Sequence, residues 1–239
     1  MKKIYLYTAA IFMSGLFGAS AAYASEEDTA KEMAALFSAG RGVISDNQDK
    51  INNADLGDKG LTGDIVIAKA KEKYKEKMGK DVVETDPYQK AILEAIADVM
   101  KDAQPVINEK GKGFKGFLPA VFAGQVATKA SEKLAGKAVI KLTAPKELVR
   151  NRKNRPDEWE NKAIEETFKK AGYEKGKAFS ETSTVDGKSA FRFIQPEYYK
   201  QSCLSCHGGP KGETDISGGK KEGANLDDLG GAVSVTIFK

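Results

Sequence analysis

The sequence has little of the material from which disulfide frameworks and metal centres are built: among 239 residues there are two cysteines and one histidine. The cysteines, Cys203 and Cys206, lie three positions apart, and a disulfide across so short a loop would take little freedom from the unfolded chain. Stability therefore gives no reason for them. After the first two dozen residues there is no apolar run long enough to cross a bilayer, so no integral membrane span is expected in the mature chain. Charge of one sign is lacking as well. Lys and Arg number 38 against 34 Asp and Glu, interspersed along most of the chain, which gives no field that would draw nucleic acid or an anionic membrane.

The N-terminus is built differently. Lys2 and Lys3 precede an apolar stretch from Ile4 to Phe17, and Ala22-Tyr23-Ala24 forms a small-x-small pattern before Ser25. This is the layout of a secretory signal peptide spanning residues 1–24, with retention as an N-terminal anchor as the alternative. Its removal takes away Lys2 and Lys3 and lowers the formal charge from +4 to +2. The expected product is a periplasmic protein in which residues 25–239 form one domain.

Along that mature chain, Met33, Leu36, Phe37, Val43, Ile44 and Ile51 recur at helical spacing, with Gly40 and Gly42 softening the middle. Residues 52–63 carry loop chemistry. The spacing predicts further helices over 64–78, ended by Gly79, over 88–104, ended or kinked by Pro105, and over 117–134 with Pro119 near its start. Beyond Gly136 the texture changes: Ala138 to Leu142 reads as a short strand and 157–170 as a helix with Trp159, Ala163, Ile164 and Phe168 on one face. Residues 179–185 and 189–194 flank Asp186-Gly187 as a β-hairpin, and 231–238 alternate like a final strand. A glycine-rich connection, 208–231, lies between. The fold class expected is α+β, helices first and a mixed half after.

Residues 203–207 read CLSCH, the Cys-x-x-Cys-His arrangement of c-type haem attachment. On one helical turn residues i and i+3 share a side, so the thiols of Cys203 and Cys206 can reach both vinyl groups along one haem edge. His207 can then turn a neutral ring nitrogen to the iron. The alternatives each lack a part. Structural zinc needs about four ligands, and no Cys or His exists outside this cluster. A thioredoxin-like pair needs a βαβ context, whereas this motif follows a hairpin and precedes a glycine-rich loop. The expected cofactor is thus one covalently attached haem c.

With no second histidine, bis-histidine ligation within the chain is excluded. The sixth iron position is open among Met33, Met78, Met100, a lysine, a tyrosine, water and vacancy. Each methionine also has a structural reading, Met33 and Met100 as core and Met78 in a Lys/Glu-rich turn. Arg150, Arg152 and Arg155 form the densest guanidinium cluster and are candidates for pairing haem propionates; a solvated basic turn balanced by Asp157, Glu158 and Glu160 is the competing reading. Arg41 and Arg192 are the other two arginines, and Trp159 reads as a packing residue.

The segments PEYYKQSCLSCHGGPKGE and DLGGAVSV, with RGVIS, INNADLGDKGLTGD, FKGFLPAVFAGQVA and IKLTAPKELVRNRKNRPDEWE upstream, resemble the DUF3365, or Tll0287-like, family of haem-binding domains over essentially all of the mature chain. The resemblance implies a PAS-like domain, N-terminal helices followed by an antiparallel sheet holding c-type haem, and homodimers paired through those helices. It assigns Cys203 and Cys206 to attachment and His207 to the iron. A cysteine sixth ligand, which the family can use, has no counterpart here. The sequence ends at Lys239 directly after the last strand, without a kinase, cyclase or methyl-accepting region, so signalling would pass to a separate redox or signalling partner.

Three functional classes follow. A periplasmic haem sensor of redox state or a small ligand is the leading expectation, and an electron-transfer cytochrome c is the alternative. An enzyme such as a peroxidase ranks behind both, since no distal histidine exists to serve as acid-base group. The expectation is of no enzymatic activity.

Overall fold

The computed structural model describes residues 25–239, and the signal peptide expected over 1–24 lies outside the described residues. The first helix, α1 (Glu26–Asp46), begins where Ser25 accepts a hydrogen bond from the Asp28 N–H at 3.0 Å and where Glu26, Glu27 and Asp28 sit at the positive end of the helix dipole. Met33, Leu36, Phe37, Val43 and Ile44 are buried along it. The soft centre expected at Gly40 and Gly42 is absent: the helix runs through both, breaks at Asn47, and resumes as α2 (Gln48–Ile51). Gly40 answers to packing instead. A Cβ there would stand 2.9 Å from Cδ1 of Ile96, so the missing side chain lets two helices approach.

After the loop, α3 (Gly63–Met78) starts at Thr62 and closes on Gly79, whose φ of 70° is the left-handed value glycine supplies at a helix end. In α4 (Pro87–Ile107) the Asp86 carboxylate accepts from the N–H groups of Tyr88 and Gln89. The helix does not stop at Gln104 as Pro105 suggested. A proline in the last turn forfeits only the bond to the Lys101 carbonyl, on an exposed residue where water can serve. Buried Ile107 and the Gln104 side chain, which donates to the Leu61 carbonyl at 3.0 Å, hold the extra residues. The fifth helix, α5 (Pro119–Lys133), carries its proline in the first turn, where no helical bond is lost.

Four strands form one antiparallel sheet in the order β1-β4-β3-β2: β1 (Ala138–Thr143), β2 (Phe179–Val185), β3 (Lys188–Tyr198) and β4 (Leu229–Phe238). Asp186 and Gly187 both take positive φ, 50° and 78°, as the tight hairpin between β2 and β3 requires. Strand β3 runs four residues beyond the expected Ile194, which pairs with the first residue of β2. Pro196 therefore lies where β2 no longer pairs, opposite Ala232 of β4.

The alternation of the strands divides the core. Ile140 and Leu142 of β1, Phe193 of β3, and Val233, Val235 and Ile237 of β4 join the side chains of α1, α3, α4 and α5 in one apolar cluster. Ile194 and Ala232 point the other way, toward Ala163, Ile164 and Phe168. The segment they meet is not the single helix expected over 157–170. It is α6 (Glu158–Lys162), started by a capping box between Asp157 and Glu160, followed by a π-helical stretch over Ala163–Phe168 in which the Lys169 N–H reaches the Ile164 carbonyl. Arg192 crosses this face, donating to Asp157 at 2.6 Å and lying 4.2 Å from the Trp159 ring centroid. The result is an α+β fold with the N-terminal helices on one face of an antiparallel sheet. No helix among the described residues is long and apolar enough to cross a membrane.

Candidate functional site

Where β3 ends, the chain leaves the sheet as an excursion from Tyr199 to Asp228 before re-entering as β4. Tyr199 ties both ends together: its N–H donates to the Asp228 carbonyl and its carbonyl accepts from the Asp227 N–H, each at 2.9 Å. The ring needs Gly230 beside it, because a Cβ there would stand 2.8 Å from the ring carbons. A short 3-10 turn, Gln201–Cys203, leads into α7 (Leu204–His207), so the three motif residues share one brief helical segment. Both thiols are free and half-buried. The segment also touches the helices. Ser45 of α1 lies 3.2 Å from Ser202, and Glu197 at the end of β3 accepts from Ser38 at 2.7 Å while pairing with Arg41.

His207 is held on one side of its ring. Its Nδ1 stands 2.9 Å from Oε2 of Glu222 and 3.4 Å from the Tyr199 hydroxyl, and the two rings stack with centroids 4.9 Å apart. An ionised carboxylate can only accept, so the proton of the neutral imidazole belongs on Nδ1 and the lone pair on Nε2. Glu222 is itself gripped by Arg150, whose Nε donates to Oε1 at 2.7 Å and whose Nη2 donates to Oε2 at 3.0 Å. The same guanidinium donates to the carbonyls of Cys206 and Lys220, each at 2.9 Å, and pairs with Asp215. Asp215 in turn accepts from the N–H groups of Ser217 and Gly219, closing a small turn inside the excursion.

These contacts set the charge states. Burial works against ionisation of Glu222, but the hydrogen bonds from Arg150 and the influence of His207 outweigh it and hold the carboxyl below the usual carboxylate range. Burial likewise opposes the charge of Asp215, yet bonds from Ser217 and Arg150 carry its carboxyl down to about 2. Burial, reinforced by the Glu222 charge, pushes the Tyr199 hydroxyl up to about 12, so it stays a phenol at neutral pH.

The donor set fits a c-type haem: two reduced, accessible thiols at i and i+3, and an imidazole whose Nδ1 is occupied and whose Nε2 is available. Zinc would need about four converging protein ligands, and among the described residues no three His, Cys, Asp or Glu side chains form a group able to hold a metal ion. A groove of about 240 Å³ lined by Val43, Asp46, Lys69 and Lys73 and a smaller one of about 70 Å³ beside Trp159 include none of the motif residues.

The arginine cluster of the sequence is split in space. Arg150 reaches into the motif loop, while Arg152 and Arg155 are exposed. Asp157 and Glu160, expected to balance that cluster, pair instead with Arg192 and Lys141. Met33 and Met100 are 0% exposed within the helical core, and Met78 is half-buried against it. Sequence reasoning missed Glu222, Tyr199 and Asp215. Nothing in the spacing marks Glu222, fifteen positions after His207, because only the folded excursion brings the two together.

The profile of the Tll0287-like family matches residues 21–237. The chain belongs to that family. This membership fits a haem-binding, cytochrome-like domain. No curated protein and no solved structure is matched.

Proposed function

We propose that this Tll0287-like protein is a periplasmic monohaem c-type haem protein that senses redox state or a small ligand and catalyses no reaction. The observation that carries this reading is the half-engaged imidazole of His207, with Nδ1 bound to Glu222 at 2.9 Å and Nε2 left with its lone pair, one residue after two free thiols. Cys203 and Cys206 would each add S–H across a vinyl group of haem, the sulfur bonding one carbon and the hydrogen the other, with no oxidant consumed. His207 would supply the proximal nitrogen to iron. The bound haem supplies one-electron redox chemistry and, where its sixth position is open or weakly held, a site for diatomic ligands.

A sensing role draws support from how the motif is mounted. It continues directly from β3, a central strand, and its first turn meets α1 through Ser45 and Ser202. A shift of His207 on a change in the iron would therefore bear on sheet and helices together, and a separate partner protein would read that change. Ferric and ferrous optical and EPR spectra of the purified holoprotein, followed by CO and NO addition, test the assignment. Ready binding of either gas by the ferrous protein supports the sensor. Exclusion of both, with rapid electron exchange with a second cytochrome, would replace it by an electron carrier.

A further inference from the structure

We propose that Glu222 is the positioning residue for His207 as an iron ligand and that Arg150 is the clamp that keeps Glu222 aimed at it, so that the pair draws the iron's reduction potential down. This rests on the haem reading above and adds a role for two residues outside the attachment motif.

The geometry is specific to that task. Arg150 comes from the connection after β1 and meets both oxygens of Glu222 in a fork, which fixes the plane of the carboxylate. The Oε2 atom held in this way is also the one 2.9 Å from His207 Nδ1. The Glu222 side chain is 17% exposed, so water competes little for that oxygen. Arg150 binds the Cys206 carbonyl with the same Nη2, which ties the clamp to the peptide immediately before the ligand. Asp215 balances the remaining guanidinium nitrogen from a fully buried position. A carboxylate on Nδ1 raises the basicity of the other ring nitrogen. A more basic ligand favours the ferric state over the ferrous one, which lowers the potential. A neutral acceptor in the same place gives less of this effect.

The test compares the matured holoprotein with its Glu222→Gln and Arg150→Lys variants by potentiometric titration, intact mass and thermal unfolding. Glu222→Gln keeps the size and a hydrogen-bonding amide but loses the charge. It should retain one haem and raise the potential enough to shift the ferrous-to-ferric ratio at fixed poise roughly tenfold, which is 59 mV for a one-electron couple. Arg150→Lys keeps the charge but cannot form the fork, and should shift the potential in the same direction by less. Unchanged potentials in variants that still carry haem overturn the relay while leaving the haem reading intact, even if their melting temperatures fall. Absence of haem from the unaltered protein overturns the haem reading itself.

Discussion

The helical half and the Tyr199–Asp228 excursion are stabilised by different physics. In the first, Met33, Leu36, Phe37, Ile44, Ile92, Ile96 and Phe122 are almost wholly removed from water, each contributing roughly 1.5–3 kcal/mol by burial. In the second, Tyr199 is the only apolar side chain among the buried core residues, and the loop is held by Arg150, Asp215, Glu222 and backbone bonds such as Gly212 N–H to the Lys221 carbonyl at 2.9 Å. Burial is insensitive to pH and forgiving in direction, so it suits a scaffold. A charge-assisted network is directional, so it suits the aiming of an imidazole.

Substitutions should separate the two regions. Phe37→Ala opens a cavity in the helical core and should cost about 3–5 kcal/mol in global stability by denaturant titration. Arg150→Met leaves Asp215 charged and buried. Its cost should be roughly 2–3 kcal/mol, below that of breaking a fully buried pair because Arg150 is 30% exposed, and should appear as faster hydrogen exchange within residues 208–228. A loss spread evenly over the helices would erase the distinction.

Acid should act on the same region. The Asp215 carboxyl sits at about 2 in the folded protein, below its unfolded value near 4, so the unfolded chain takes up the proton first as pH falls. The resulting stability, roughly 2 kcal/mol, is present above pH 4 and lost toward pH 2, and Asp215→Asn should flatten that part of the pH–stability curve. Asp86→Ala removes two hydrogen bonds at the start of α4 and should cost about 1 kcal/mol without disturbing the excursion. Lys71→Ala, which breaks an exposed pair with Glu84, should change the melting free energy by less than about 0.5 kcal/mol.

The division between the regions also explains what could be read beforehand. Periodicity reports burial, so α3, α5, the Asp186-Gly187 hairpin and β4 fall close to where the sequence places them. It fails where a side chain or a neighbouring helix decides the outcome: at Gly40, kept small by Ile96; at Pro105, tolerated in a last turn; and over 163–168, where the helix widens to a π turn. Within the candidate site, the grouping of Cys203, Cys206 and His207 on one short helical segment was legible because it is local in the chain. Glu222 was not, since it meets His207 from fifteen positions downstream, and Arg150, which stood out as part of a guanidinium cluster, could not be matched to Glu222 because no local pattern encodes such a meeting.

The most direct test of the central claim is the intact mass of the protein exported from cells with a c-type haem maturation system, measured after denaturation. The account predicts one species heavier than the mature polypeptide by a single haem, with Cys203 and Cys206 refractory to alkylation. The polypeptide mass alone, with both thiols free to react, would contradict it.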